Sequence, residues 1–372
     1  MRTLPLHIDG KLHLKGLPRT ELEAFLQQWG EPRYRAVQLM EWLYAKGVED
    51  FTAMTNLPKE LRQRLAENTT LQTLRIERWQ RSAWDGTTKL LFRLPDNAAI
   101  EAVLIPASHA NGTRHRLTLC VSTQVGCPLG CAFCATASLR LQRNLNTAEI
   151  VDQLLCARKL VGEPITNVVF MGMGEPLLNL DSVIHALQIW TDPAASLLSA
   201  RRITLSTAGI VPGIYRLADT GLRIKLAVSL HTADQSLRER LMPIARRYPL
   251  PELQRAARYY SERTQRPVTY EYILFDGLND SPADADALAR FVKATPRAKV
   301  NLLPFHPIDF VHPTGIAATL RPSPPERIAA FQKRLHMHGI IATVRSSHGI
   351  DIDAACGQLA LSWERGYASA SP

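Results

Sequence analysis

"CVSTQVGCPLGCAFC", Cys120 to Cys134, places four of the chain's six cysteines within fifteen residues. Three of them, Cys127, Cys131 and Cys134, follow a C-x3-C-x2-C spacing, and Cys120 stands seven residues upstream in a run that reads as a strand, "LTLCVS" (117–122). Four thiols could form an all-thiolate zinc set. Structural zinc cysteines, however, usually come as two pairs on separate knuckles, whereas here three share one loop. Iron-sulfur clusters are also usually held by four thiolates. A cubane held by three leaves one iron open to bind a substrate or cofactor and pass it an electron.

Outward from this loop the chain alternates between strand and helix patterns. Apolar strand candidates recur at 117–122, 167–172, 202–207, 224–230, 268–275 and 300–305, with amphipathic helical stretches such as "TAEIVDQLLCARKL" and "LPELQRAARYYSERT" between most of them. Six β-α units imply a parallel sheet, too few for an eight-stranded barrel, so the expected fold is α/β with an open or partial barrel and ligands at the carboxyl ends of its strands. Upstream, "LRIERW", "TKLLFRL" and "IEAVLIP" are short β-like runs separated by turn signals. Residues 18–67 read as helices, with Asn56 as an N-cap and Pro58 in the first turn of the last one. "HPIDFVHPTGIAATLRPSPPE" is a Pro-rich loop before the final helix, and there is no internal repeat or low-complexity segment. The implied organisation is 1–73 helical, 74–116 β extension, 117–350 core and 351–372 a C-terminal segment.

The 372 residues are 46% hydrophobic and 21% charged, an ordinary globular composition. The start, "MRTLPLHIDGKLHLKGL", has no apolar run of signal-peptide length, and no later run approaches the roughly 18 residues of a membrane span. A cytoplasmic protein with no membrane partner is expected. In a reducing compartment clustered cysteines more often bind metal or do redox chemistry than form structural disulfides. Lys plus Arg outnumber Asp plus Glu by 44 to 34, for a net charge of +10. A polyanion, above all nucleic acid, is therefore a plausible partner, although charge alone says nothing about chemistry.

C-x3-C-x2-C directly after the first strand of such a β/α chain resembles the radical S-adenosylmethionine (SAM) superfamily. Five further motifs in order, "NVVFMGMGEPLLN", "RITLSTAGIVPGI", "LAVSLHTADQSLRERLMPI", "VTYEYILFDGLNDS" and "GIDIDAACGQLA", resemble the RlmN/Cfr family of RNA adenine methyltransferases, nearest the RlmN branch, from about residue 15 to 364. The resemblance implies a partial (β/α)6 barrel with a helix-hairpin-helix-like N-terminal domain, a 4Fe-4S cluster on Cys127, Cys131 and Cys134, and two SAM molecules per turnover. It implies SAM contacts at Gly174, Glu175, Ser206, Ser229, Leu230 and His231. It also implies that Cys356 carries a methyl group and that this S-methylcysteine, activated by a 5′-deoxyadenosyl radical, adds to adenine C2. Glu101 would then take the ring proton, and Cys120 would close a transient disulfide with Cys356 as product leaves. The implied partners are 23S rRNA, tRNA at the adenosine beside the anticodon, and an external flavodoxin-like electron donor, with the enzyme a monomer. Cys156, at a helical apolar position, has no expected role. The chain departs from the family at Ala137 and Arg140, where glycines are common, and at His306, where Asn is common; the resemblance implies a SAM contact for His306 as well. Cfr-like methylation at C8, and a non-catalytic metal-stabilised RNA-binding protein, remain the alternatives.

Overall fold

The computed structural model describes residues 7–8, 10–71, 73–108 and 114–363. Residues 1–6 and 9 of the opening run in which a leader was sought, and residues 364–372 of the expected C-terminal segment, lie outside the described residues. Ten strands form one open sheet: β1 (Arg75–Arg81), β2 (Thr88–Arg93), β3 (Ala99–Ser108), β4 (Arg114–Cys120), β5 (Asn167–Phe170), β6 (Ile203–Thr207), β7 (Lys225–Ser229), β8 (Val268–Leu274), β9 (Lys299–Pro304) and β10 (Ala342–Val344). Their spatial order is their order in the chain. From β4 to β10 every neighbour is parallel, while β1, β2 and β3 pair antiparallel and join the sheet at β4.

The expected β extension is therefore built into the same sheet as the barrel. The parallel part also has a seventh strand that the sequence did not announce. β10 is only three residues long with two of them exposed, so it lacks the buried alternation that marks a strand. Asn56 is likewise not a helix cap: the helix begins at Lys59 after Pro58, and the Asn56 side chain accepts from the Trp42 indole at 2.5 Å instead.

Alternation along each strand separates two jobs. Leu205, Leu226, Val228, Tyr270, Tyr272, Val300 and Leu302 are fully buried on the outward face, within the main apolar core. Each such side chain contributes about 1.5–3 kcal/mol over exposure. The inward set, Cys120, Ser206, Ser229, Glu271, Leu303 and Arg345, faces the concave side near the carboxyl ends of β4, β6, β7, β8, β9 and β10.

Helix α1 (Arg19–Gln27), helix α2 (Tyr34–Met40) and helix α3 (Lys59–Asn68) form the N-terminal module. Their Leu22, Leu26, Leu39, Met40, Leu61 and Leu65 belong to the same core as the sheet. Helix α4 (Thr147–Val161) follows the cysteine loop and starts with a capping box, in which Asn146 accepts from the Glu149 N–H while Glu149 accepts from the Asn146 N–H. Lys15 and Asp152 on α4 form a buried ion pair at 2.8 Å that ties the N-terminal module to the barrel. Among the described residues no helix is long and apolar enough to cross a membrane.

Candidate active site

The cysteine loop leaves the end of β4 and is closed at its base by a two-stranded ribbon, Gln124–Val125 with Arg143–Asn144. Gly126 has φ +79°, and a Cβ there would lie 2.3 Å from the Arg140 carbonyl oxygen. Only glycine lets the two ends of the loop come this close. Arg140 and Ala137, the departures from family glycines, sit in the part of the loop that folds back, where Ala137 belongs to a 3-10 turn over Ala135–Ser138.

Cys127, Cys131 and Cys134 line one cavity of about 890 Å³ together with Gly174, Glu175, Ser206, Ser229 and His231. The cysteine loop and several strand ends meet there. Burial pushes the Cys127 thiol up to about 12 and raises Cys131 and Cys134 too, so a bound cation would be needed to hold them as thiolates. Gly174, at φ +97°, presents bare backbone: a Cβ would meet the Gln124 side chain at 2.6 Å. Glu175 is buried; its Oε2 accepts from the Ala208 N–H at 2.7 Å and its Oε1 from Leu177 at 3.0 Å, which fixes the ends of β5 and β6. Burial raises its carboxyl to about 7. His231 Nδ1 accepts from the Ile273 N–H at 3.0 Å, and the ring stands edge-on to Phe133, centroids 4.5 Å apart. Burial, with the Arg238 charge second, lowers this imidazole to about 3, so it is neutral. Leu230 differs from its neighbours: its side chain is fully buried away from the cavity, and its backbone bonds to Glu271 and Arg238.

A second cavity, of about 700 Å³, adjoins the first and is lined by Cys120, His306, Ser347 and His348. Cys356, Gly357, Arg345, Met171 and Leu303 line both. Cys356 thus stands at the divide, open to solvent through the cavities and crowded by protein elsewhere. That crowding pushes its thiol up to about 11, against the pull of the Arg345 charge. Burial, then the proximity of Cys356, puts Cys120 at about 12. Both thiols are free. His306 is placed in this second cavity, with Nε2 2.5 Å from Ser347 Oγ, and does not line the first.

The segment bearing Cys356 is fastened on both sides. Ala135 N–H donates to the Gly357 carbonyl at 2.7 Å and Thr136 Oγ1 to Leu359 at 2.6 Å, which ties it to the cysteine loop. Across the sheet, Lys89 Nζ donates to Asp353 O and Ser362 Oγ, and Glu101 Oε2 accepts from Leu361 N–H at 3.0 Å. Glu101 is fully buried under this segment, paired with Lys89 at 3.6 Å, and lines neither cavity. A solvent-facing Glu, the ordinary expectation for a carboxylate in a strand, is excluded.

Three residues of the site carry no sequence signal of their own. Arg238 is buried beneath the strand ends, donating to Ala208, Ser229 and Leu230 carbonyls. Glu271 accepts from Asn301 Nδ2 at 2.9 Å through Oε1, while its Oε2 is buried without a partner at the cavity wall. Arg345 stands between the cavities. Glu271 and Asn301 are paired across β8 and β9 and so share one face, but period-two alternation does not say which face holds the site.

The donor set fits an iron-sulfur cubane better than a single ion. Among the described residues no three His, Cys, Asp or Glu side chains converge on one ion position, and Cys120 opens on the other cavity. A cubane binds each thiolate to a different iron and needs no such convergence. The unpartnered Glu271 oxygen is a buried acceptor waiting for a donor, as a zwitterionic, hydroxyl-bearing cofactor would supply.

Among known proteins, residues 12–71 match the ribosomal RNA large subunit methyltransferase N-terminal domain family, and residues 121–289 match the radical SAM superfamily. The chain is 47% identical over 352 residues to a probable dual-specificity RNA methyltransferase RlmN of Symbiobacterium thermophilum, covering 94% of this chain and 91% of that one. It is 43% identical to the dual-specificity RNA methyltransferase RlmN of Geotalea uraniireducens, covering 94% and 96%. A crystal structure of a radical SAM methyltransferase from Sphaerobacter thermophilus superimposes with a TM-score of 0.83 at 44% identity, covering 93% of this chain and 98% of that one.

Proposed function

The chain belongs to the RlmN family of radical SAM RNA methyltransferases, and from that premise we propose that it methylates C2 of adenine in 23S rRNA and in tRNA, with Cys356 as the methyl carrier. The observation that carries this reading is the position of Cys356, which lines both the cavity of the three clustered thiols and the cavity of Cys120. A carrier must meet the methyl source on one side and the acceptor base on the other. The second cavity accordingly takes the target adenine, extruded from its stack.

The bound cluster and two SAM molecules supply the methyl group for Cys356 and the radical that activates it. Cys127, Cys131 and Cys134 hold the cluster; Gly174, Glu175, Ser206, Ser229 and His231 shape the SAM cavity, and Leu230 acts through backbone alone. The neutral His231 leaves no imidazolium beside the sulfonium cofactor. Arg345 favours the Cys356 thiolate needed for methyl displacement. Adenine carbon offers no attacking lone pair, which is why a carbon radical held on protein sulfur serves where direct displacement does not.

Product release uses Cys120: its thiolate attacks the Cys356 sulfur, the S–S bond forms as the bond from sulfur to the base-linked carbon breaks, and that carbon keeps the electron pair and takes up a proton. Two electrons from an external flavodoxin-like donor restore the thiols, in the cytoplasm, with the enzyme acting as a monomer. Glu101 serves as proton acceptor only once residues 353–363 lift from it; in the arrangement described it holds that segment down. His306 contacts the base in the second cavity rather than SAM.

The test is mass spectrometry of ribosomal RNA and tRNA from a deletion strain complemented with this chain. 2-Methyladenine is expected; 8-methyladenine would replace the regiochemistry, and unmodified adenine would overturn the reading.

A further inference from the structure

The hairpin of β1 and β2 carries a combination of side chains that stability does not require. Among the described residues β1 is an edge strand of the ten-stranded sheet, and its "RIERWQR" exposes Arg75, Arg78 and Arg81. Its one acid, Glu77, is bound to Arg93 on β2, and none of the three arginines has an acidic partner among the described residues. Charged edge residues prevent sheets from adding to one another, which accounts for arginines. It does not account for the tryptophans beside them, Trp79 at 53% and Trp84 at 74% exposure.

Trp84 occupies a turn that is held rigidly and tied to the site. Ser82 Oγ accepts from the N–H groups of Trp84 at 3.1 Å and Asp85 at 3.2 Å, and Asp85 Oδ1 accepts from Thr87 at 2.9 Å. Asp85 Oδ2 also accepts from the Gly349 N–H at 3.0 Å and meets His348 Nδ1 at 3.1 Å, while Asp351 Oδ2 accepts from the Ala83 N–H at 3.1 Å. His348 lines the cavity shared by Cys120 and Cys356. The turn is thus fastened to the rim of the pocket assigned to the target base. An indole in water on a fixed backbone loses little freedom when a flat partner stacks on it.

We propose that Trp84 stacks a base of the RNA strand flanking the target adenosine, while Arg75, Arg78 and Arg81 take phosphates of the same strand. This rests on the reading of the chain as an RNA methyltransferase. Stacking platforms beside a cationic track are how proteins hold single-stranded RNA without reading its sequence, and an extruded adenosine leaves just such unstacked neighbours. Arg78, whose guanidinium lies 5.2 Å from the Trp363 ring, is oriented by that ring at the end of the Cys356 segment.

The experiment is binding of the cluster-loaded protein to an RNA stem-loop with unpaired adenosines in its loop, across a salt series. Trp84→Ala is expected to weaken binding about 5- to 100-fold, the range of one base stack removed, and Trp84→Phe to recover most of it. The triple variant Arg75→Gln, Arg78→Gln, Arg81→Gln is expected to flatten the plot of log affinity against log salt by roughly 0.7 for each phosphate left without its arginine. Melting temperatures, which these exposed positions scarcely touch, report folding. Wild-type affinity in Trp84→Ala overturns the proposal alone. So does intact RNA binding by the triple variant together with failure to bind an acidic flavodoxin-like protein, which would assign the surface to that partner. A wild-type protein that binds no RNA overturns the functional reading and the proposal with it.

Discussion

Lys89→Met removes the ammonium that fastens both flanks of the Cys356 segment. Lys89 Nζ donates to the Asp353 carbonyl at 3.3 Å and Ser362 Oγ at 3.1 Å, and lies 3.6 Å from Glu101 Oε1 with both side chains essentially unexposed, at 1% and 0%. Methionine keeps the apolar stem and discards the charge, which leaves Glu101 buried with only backbone N–H groups such as that of Leu361. Removing one partner of a buried ion pair costs about 3–5 kcal/mol. The cheapest relief is local: residues 353–363 lift and let water reach Glu101. Native-state hydrogen exchange at the Leu361 amide should therefore accelerate about 100-fold or more, since 3 kcal/mol is a factor of about 150. Adding Glu101→Gln should restore most of the protection, because a neutral amide oxygen still accepts from Leu361.

The pH dependence has a definite sign. Burial raises the Glu101 carboxyl and the Lys89 charge opposes that rise, so the variant carries a carboxyl raised further. A group raised in the folded state is tolerated when protonated, and its penalty appears as pH climbs through the folded value. After correction for intrinsic rates, the variant should approach wild type as pH falls toward about 5 and depart from it above. A Leu361 amide that exchanges at the wild-type rate at neutral pH, or one that Glu101→Gln fails to rescue, would refute the idea that this pair holds the segment.

Two further outcomes separate the roles of neighbouring groups. Cys120→Ala should keep its iron and brown colour yet accumulate a covalent protein–RNA adduct on denaturing gels, since Cys120 opens on the second cavity and not on the cluster cavity; loss of iron instead would return the four-thiolate reading. Glu271→Gln should weaken SAM binding roughly 10- to 100-fold by equilibrium dialysis, the scale of a missing charged hydrogen bond, with iron content unchanged; unaltered SAM affinity would mean that the unpartnered Oε2 faces no cofactor donor.

Much of the architecture was legible because alternation and spacing are local. The six longer parallel strands show as apolar runs, whereas β10 does not, since a three-residue strand with two exposed positions buries too little to leave a pattern. The C-x3-C-x2-C loop and the turns after β5, β6 and β7 were likewise readable, and the structure gathers them at one cavity. His306 and Leu230 show the limit. Motif position brought both near SAM, but packing sends the His306 ring to Ser347 and the Leu230 side chain into the core. Glu101 is similar: its strand was evident, its burial under a segment some 260 residues later was not.

The sequence by itself determined the chemistry available: three clustered thiols short of a fourth, Cys120 and Cys356 besides, and strands ending in Gly, Glu and Ser. Those are matters of residue type and short-range spacing. The resemblance implies a division of three and one among the thiols of Cys120–Cys134; only the tertiary structure decided where Cys356 stands relative to them. The pleat turns Cys120 inward at the end of β4, the loop carries the other three to a separate cavity, and hydrogen bonds donated by Ala135, Thr136 and Lys89, with one that Glu101 accepts from Leu361, hold Cys356 between them. Contacts across more than two hundred residues leave no periodicity in the chain, so no local reading could have placed that divide.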